Sequence, residues 1–256
     1  MKFCNLAALA TVLTLGAFAT GIHADEASTS AFSDITIVDC RQHDAGQEQK
    51  DRDLALEAFG LMQTHDMSTL DSMMPKLEAA LNHAPDVPSS SERCGDKINL
   101  YTDDMGQMFL MTAYVNRTPG LEKVSVVQYA ALPYGQLGFI VGWIRFEHEK
   151  FAAAYKAYAR GLRNDPDDYT LINEMALTLS HLRRNDEGLA LVDDFLKAHD
   201  NLDDKGKAAL QRKRGYILVE LGRLDEAKAA YEESLRLEPG NAVAKGELDY
   251  IAQQKH

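Results

Sequence analysis

The sequence predicts a mainly α-helical fold, an α-solenoid of stacked helical hairpins with a small strand–helix–strand element inserted before the repeated part. Three observations predict it. The second half of the chain repeats itself at intervals near 34 residues, and units of that length which bury their apolar faces only by stacking on neighbours make solenoids. An upstream stretch rich in β-branched residues breaks the repeat and marks the insert. Hydrophobic residues make up 45% and charged residues 26% of the 256, which is ordinary globular usage and excludes collagen-like structure and wholesale disorder. Lys and Arg number 27 against 39 Asp and Glu, and the net charge of −12 repels phosphate backbones, so no nucleic-acid partner is expected.

From the N-terminus, residues 1–24 read as a signal peptide. Met1-Lys2 gives a positive start, Leu6 to Phe18 is apolar without charge or proline, and Ala24 precedes Asp25-Glu26. A cut after Ala19 and an uncleaved anchor are the alternatives. The apolar run is too short to span a bilayer, and no other segment is long and apolar enough to do so. The expectation is an exported protein, periplasmic or secreted, of bacterial type. Export leaves Cys40 and Cys94 in an oxidising compartment, where a single disulfide is the simplest outcome. Closing a loop of 54 residues is worth about 4 kcal/mol by chain entropy. The alternative is a metal site on Cys40, His43 and Cys94, which lacks a fourth ligand, and a redox pair lacks the usual C-x-x-C spacing.

Residues 25–134 form a mixed region. Over 52–85, two helical stretches broken near Asp66 and closed by Pro85 suggest a degenerate helical hairpin. Val87 to Cys94 reads as loop from its Ser and Pro content. The insert spans 97–129. Lys97 to Tyr101 alternates as a strand, Asp104 to Val115 reads as a helix capped by Thr102 or Asp103, and Lys123 to Tyr129 is β-branched and apolar. A right-handed crossover makes its two strands parallel. A third strand at Asp34 to Val38 would be tied on through Cys40.

The repeated units are 135–168, 169–202 and 208–241. Small residues recur at Gly142, Ala176 and Gly215 and again at Ala154, Gly188 and Ala227, with large ones following at Tyr158, Val192 and Tyr231. The intervals are 34 and 39 in each set, and the five extra residues fall in a polar stretch near 199–206, where they lengthen a loop. Small residues on paired helices permit close approach, and the following large residue fills the gap. Gly222 gives a turn, Asp225-Glu226 suits a helix N-terminus, and Pro166 and Pro239 end second helices. Residues 242–256 place Ala244, Leu248, Ile251 and Ala252 on one face of a capping helix.

This pattern resembles the tetratricopeptide repeat, with small residues near the eighth and twentieth places of a 34-residue unit and a proline near its end. Residues 208–241 match best. The middle unit departs from the pattern, with Gly188 in place of alanine, Asn185 in place of an apolar residue and no terminal proline. The resemblance implies a concave groove lined by the first helix of each unit. Carried over place by place, the groove residues are Phe139, Trp143 and Phe146, then Asn173, Leu177, Ser180 and His181, then Arg212, Tyr216 and Glu220. Phe139 and Trp143 stand where dicarboxylate-clamp members carry Lys and Asn, so capture of a C-terminal carboxylate is not implied. The aromatic trio either lines this groove or packs on the strand–helix–strand element, and adjacency in sequence favours the latter.

Catalytic motifs are not found. The chain has no phosphate loop, no dinucleotide fingerprint, no G-x-S-x-G and no H-E-x-x-H, and His148-Glu149 lacks the second histidine. The expectation is a non-catalytic interaction module with no cofactor, no metal and no catalytic residue, holding a peptide or protein partner through apolar side chains. Asn173, His181 and Arg212 are expected to set its orientation. Two alternatives stand beside it: an envelope-assembly factor that uses the inserted element, and a small hydrolase or metal-dependent enzyme.

Overall fold

The computed structural model describes residues 36–86, 90–121 and 123–254. The leader expected over 1–24 and the strand start at 34–35 lie outside the described residues. In chain order the elements are β1 (Val38–Asp39), α1 (Ala45–Gln63), α2 (Met67–Asn82), β2 (Ser91–Cys94), β3 (Lys97–Tyr101), α3 (Met105–Arg117) and β4 (Ser125–Tyr129). There follow α4 (Tyr134–Glu147), α5 (Phe151–Asn164), α6 (Tyr169–His181), α7 (Asn185–Ala198), α8 (Asp204–Glu220), α9 (Leu224–Leu237) and α10 (Ala242–Gln254). The fold is mainly α, a stack of helical hairpins with a small sheet near its N-terminal end.

Four hairpins close in the same way. His65, Glu149, Arg183 and Gly222 have φ of 55, 57, 60 and 71° and stand at the same place between first and second helix. At each turn the next amide reaches back five residues. Asp66 donates to Leu61, Lys150 to Arg145, Arg184 to Leu179 and Arg223 to Leu218, at 2.8–3.0 Å. The positive-φ residue itself donates to Met62, Phe146, Ser180 or Val219. This double bond satisfies the orphan carbonyls of a helix end and requires a left-handed residue between helices. Only the last hairpin uses glycine there. The shared geometry puts α1–α2 in the repeat's own frame, with Ala58 at the eighth place.

Packing agrees with the turns. Ala55, Ala58, Leu70 and Leu77 of the first hairpin form one core with Leu137, Ile140, Val141 and Ile144 of α4. The β element is therefore an insertion between two hairpins that remain neighbours. A second core runs through α6–α10 and is closed by Ala244 and Ile251 of α10. Close approach is enforced at the eighth place. A Cβ on Gly142 would lie 2.4 Å from the Tyr158 ring, and one on Gly215 would lie 2.8 Å from the Tyr231 ring. In these two hairpins the glycine thus receives the aromatic of its own second helix.

Three expectations need correction. The first helix begins at Ala45 rather than near 52, capped by Asp44, which accepts from the Gln47 amide. Residues 91–94 are not loop but strand. β2 pairs antiparallel with β3 through Cys94↔Lys97, turned by Gly95 at φ 66°, so the two-residue Gly-Asp turn was the overlooked signal. The extra residues before the last unit mainly lengthen a helix. α8 starts at Asp204, capped by Asp203, so most of them form an added turn.

The sheet order is β1-β2-β3-β4, with β3–β4 parallel and β1–β2 parallel. Asp104 caps α3, which packs on β4. The Cys40 and Cys94 sulfurs are bonded, fastening the β1 segment to β2 with Cα atoms 4.8 Å apart.

Candidate functional site

The first helices α1, α4, α6 and α8 each carry a partly open residue beside the buried small residue of the eighth place. These ninth-place residues are Phe59, Trp143, Leu177 and Tyr216, one per hairpin. Phe59 is 37% exposed and the other three are half-buried. Backbone geometry creates this row, because four equal turns place the same helical position at the same point in each hairpin. Phe59 is the residue that sequence reasoning missed. Its signal was present in the small Ala58 before it, as Gly215 precedes Tyr216.

The aromatic trio does not pack on the strand–helix–strand element. Phe139 and Trp143 lie against the core shared by α1, α2 and α4, while Phe139 and Phe146 also meet the cluster of Ala154, Tyr158, Leu171 and Met175. The α1–α2 hairpin takes the end of the stack that sequence adjacency assigned to the insert. Phe139 is inclined to Tyr158 with centroids 6.4 Å apart and belongs more to the core than to a surface.

Towards the turn end of α4 and α6 the structure brings Phe146 and His181 together. Their rings meet edge-on at 5.0 Å, and His181 stacks on Phe151 at 4.6 Å. His181 is exposed, so its polar edge can reach a bound chain. Asn173 Nδ2 donates to Glu174 Oε1 at 2.9 Å, leaving its side-chain oxygen as the acceptor. Arg212 has a different role from the one expected. Its Nη1 donates to Ser234 Oγ at 3.1 Å and Glu238 Oε2 at 2.5 Å, clamping α8 to the end of α9. The same contact holds the Glu238 carboxyl below its ordinary range.

Burial, the nearby Glu220 and a weaker opposing hydrogen bond with Ser180 leave the Tyr216 phenol above its usual pKa. The phenol is therefore a neutral donor at physiological pH. Lys213 lies over its ring at 5.7 Å, and burial pulls that ammonium's pKa down against the attraction of Glu174. Apolar surface with a few oriented polar groups suits recognition of a polypeptide segment.

The other conspicuous cluster is structural. Glu92 is fully buried in β2 and accepts the Arg41 amide at 3.0 Å and the Arg41 guanidinium. His43 lies between Glu92 Oε1 at 2.9 Å and Glu48 Oε1 at 2.6 Å, and it stacks on Tyr101 at 4.6 Å. Burial raises the Glu92 carboxyl, but the hydrogen bonds of Arg41 and His43 outweigh it and leave it below its ordinary value. Cys40, Cys94 and Glu92 approach one another, but both sulfurs are committed to the disulfide and offer no thiolate to a metal. Among the described residues no helix is long and apolar enough to cross a membrane.

Residues 208–241, covering α8–α9, match the family model of the tetratricopeptide repeat. No curated protein matches the chain in sequence. Among solved structures, the chain is similar to the first tetratricopeptide domain of human RPAP3, at 25% identity over 47% of this chain and 91% of that one, with a TM-score of 0.43. It is similar to the first such domain of Spaghetti (RPAP3) bound to an HSP90 peptide, at 25% identity over 47% and 92% with a TM-score of 0.42. The Sgt2 domain from Aspergillus fumigatus gives 14% identity over 48% and 80% with a TM-score of 0.43. By the unit at 208–241 the chain carries a tetratricopeptide repeat, and α4–α5 and α6–α7 repeat its build in front of it.

Proposed function

We propose that this chain is an exported, non-catalytic interaction module, periplasmic or secreted, which holds an extended peptide or protein segment against the face of α1, α4, α6 and α8. The observation that carries this is the row Phe59, Trp143, Leu177 and Tyr216, partly open at equivalent places of four hairpins. Their sequence neighbours Ala58, Gly142, Ala176 and Gly215 are buried. His181 and Asn173 supply orienting polar contacts, and Arg212 stays with its hairpin.

The test uses Trp143, the only tryptophan of the chain, as the reporter. Fractions of a periplasmic extract are added to the full protein, and its emission is followed. Wild type should respond to a fraction that a Phe59→Ala, Leu177→Ala, Tyr216→Ala triple variant, folded by circular dichroism, no longer captures. Equal capture by both proteins would place the binding surface elsewhere. N-terminal sequencing of the exported chain tests the leader, with Asp25 expected as the first residue.

A second reading has its own observation. Met105, Phe109 and Leu110 of α3 are 55%, 68% and 45% exposed, so the insert presents apolar surface of its own. Substituting all three by serine separates it from the first reading, since it would lose capture while leaving Tyr216 and Phe59 intact.

A further inference from the structure

Residues of α2, α4 and α5, other than those of the first-helix row, line a cleft of about 400 Å³. Its charge runs against that of the protein. Arg145, Lys156, Arg160 and Arg163 line it, with Glu78 as the acid among them, in a chain whose net charge is −12. Its floor is apolar, from Leu81, Val141 and Ala157.

The walls are fixed by bonds within the protein. Arg145 donates to Glu78 Oε1 at 2.6 Å and to the Ala153 carbonyl at 3.1 Å. Arg160 donates to the carbonyls of Leu81, Asn82 and Ala84, holding α5 to the end of α2. Tyr155 lies under the Arg184 guanidinium, 5.0 Å from it. Lys156 and Arg163 are exposed and form no ion pair with a described residue.

These two cations are one face of α5 apart by two turns, with Arg160 between them. Like charges three and four residues apart oppose each other on a helix, by a few tenths of a kcal/mol per pair. Arg163 is partly compensated by the negative end of its own helix, and Arg160 by the end of α2. Lys156 has neither compensation, and the fourth cation, Arg145 on α4, is balanced by Glu78. Charge converging on a concave apolar floor, of a volume suited to small ligands, describes a receptor for an amphipathic anion.

We propose that this cleft binds a small anion with an apolar body, the charged group held by Lys156 and Arg163 and the body laid on Leu81 and Val141. A carboxylate and a phosphate monoester share that chemistry. The proposal is independent of the first-helix face and of what binds there.

The experiment is calorimetric titration of the full protein with octanoate, butyl phosphate, inorganic phosphate and, as the neutral probe, octanol. Saturable binding of octanoate or butyl phosphate is expected, and the better of the two identifies the headgroup. Binding should weaken about ten-fold or more in a Lys156→Gln, Arg163→Gln variant, as charge-assisted contacts are removed. It should persist in Tyr216→Ala. Both changed side chains are exposed, so the variant should melt with wild type. The proposal is overturned if neither amphipathic anion binds, if octanol binds as tightly, if inorganic phosphate binds as tightly as butyl phosphate, or if the folded double variant binds undiminished.

Discussion

Gly138 gives the most direct test of how α4 packs on α5. It lies in α4 where that helix crosses α5, and a Cβ built on it would sit 2.4 Å from the Gly161 Cα, 2.6 Å from the Gly161 nitrogen and 2.9 Å from the Ala157 carbonyl oxygen. Carbon atoms in contact stay about 3.5–4.0 Å apart, so Gly138→Ala requires the two helices to part by about 1 Å. All three obstructing atoms are backbone, and no side chain can rotate away. Overpacking costs about 1–3 kcal/mol, and the upper end applies where backbone must move. Alanine recovers about 1 kcal/mol through helix propensity. The expected net loss is about 2 kcal/mol, or about 4–8 °C in Tm for a domain of this size. Thermal unfolding followed by circular dichroism and by Trp143 emission measures it, because Trp143 stands further along the same helix. Gly246→Ala is the control. Gly246 is in α10 with nothing within 4 Å of its Cβ position, so alanine should stabilise by about 1 kcal/mol. A Gly138→Ala protein as stable as wild type would refute the backbone contact between α4 and α5.

Arg183 holds φ 60° at the turn where Gly222 holds 71°, so Arg183→Gly should stabilise by about 0.5–1 kcal/mol in urea unfolding, and Gly222→Ala should destabilise by about 1 kcal/mol. Reducing the Cys40–Cys94 bond should cost up to about 4 kcal/mol for a 54-residue separation, read as a shift of the unfolding midpoint with and without reductant. Glu92→Gln should cost about 2–3 kcal/mol at pH 7, less than a wholly buried pair because Arg41 is 20% exposed. The Glu92 carboxyl lies below its ordinary 4.5, so its stabilisation is present above that pH and is lost as pH falls through the folded value. Urea midpoints of wild type should therefore drop below pH 4.5 more steeply than those of Glu92→Gln, and parallel curves would refute the linkage.

Why some of this was legible in sequence and some was not follows from how far each contact reaches. Gly142 and Gly215 stand out because the Tyr158 and Tyr231 rings leave no room for a Cβ, and the need for a small residue recurs at Ala176 in the unit between them. A need that recurs is visible to self-comparison. The Gly138–Gly161 contact occurs in one hairpin only and left no period to detect. β2 is hard to read because Ser91, Glu92 and Arg93 are not among the β-branched and aromatic residues that mark strands. Their pairing is carried instead by distant partners: Ser91 Oγ donates to the Thr36 carbonyl at 2.7 Å, and Glu92 accepts from Arg41.

The candidate site shows the same limit from another side. Helical spacing identifies Trp143 as facing away from its own second helix, but it does not say which element packs beside it. Sequence adjacency favoured the β insert, whereas the geometry assigns that position to α1–α2, about 70 residues earlier in the chain. What could have placed that hairpin is the turn. His65 occupies the place of Glu149, Arg183 and Gly222, and all four adopt the left-handed conformation although only one is glycine. A repeat defined by small residues loses its first member, because Leu70 stands where Ala154, Gly188 and Ala227 stand in the others. A repeat defined by its backbone keeps it. The left-handed residue costs each non-glycine turn about 1–2 kcal/mol, and the two amide bonds it permits at a helix end offset that cost. The turn therefore survives side-chain drift that erases the sequence pattern. It is the turn that extends the row of partly open ninth-place residues from three hairpins to four.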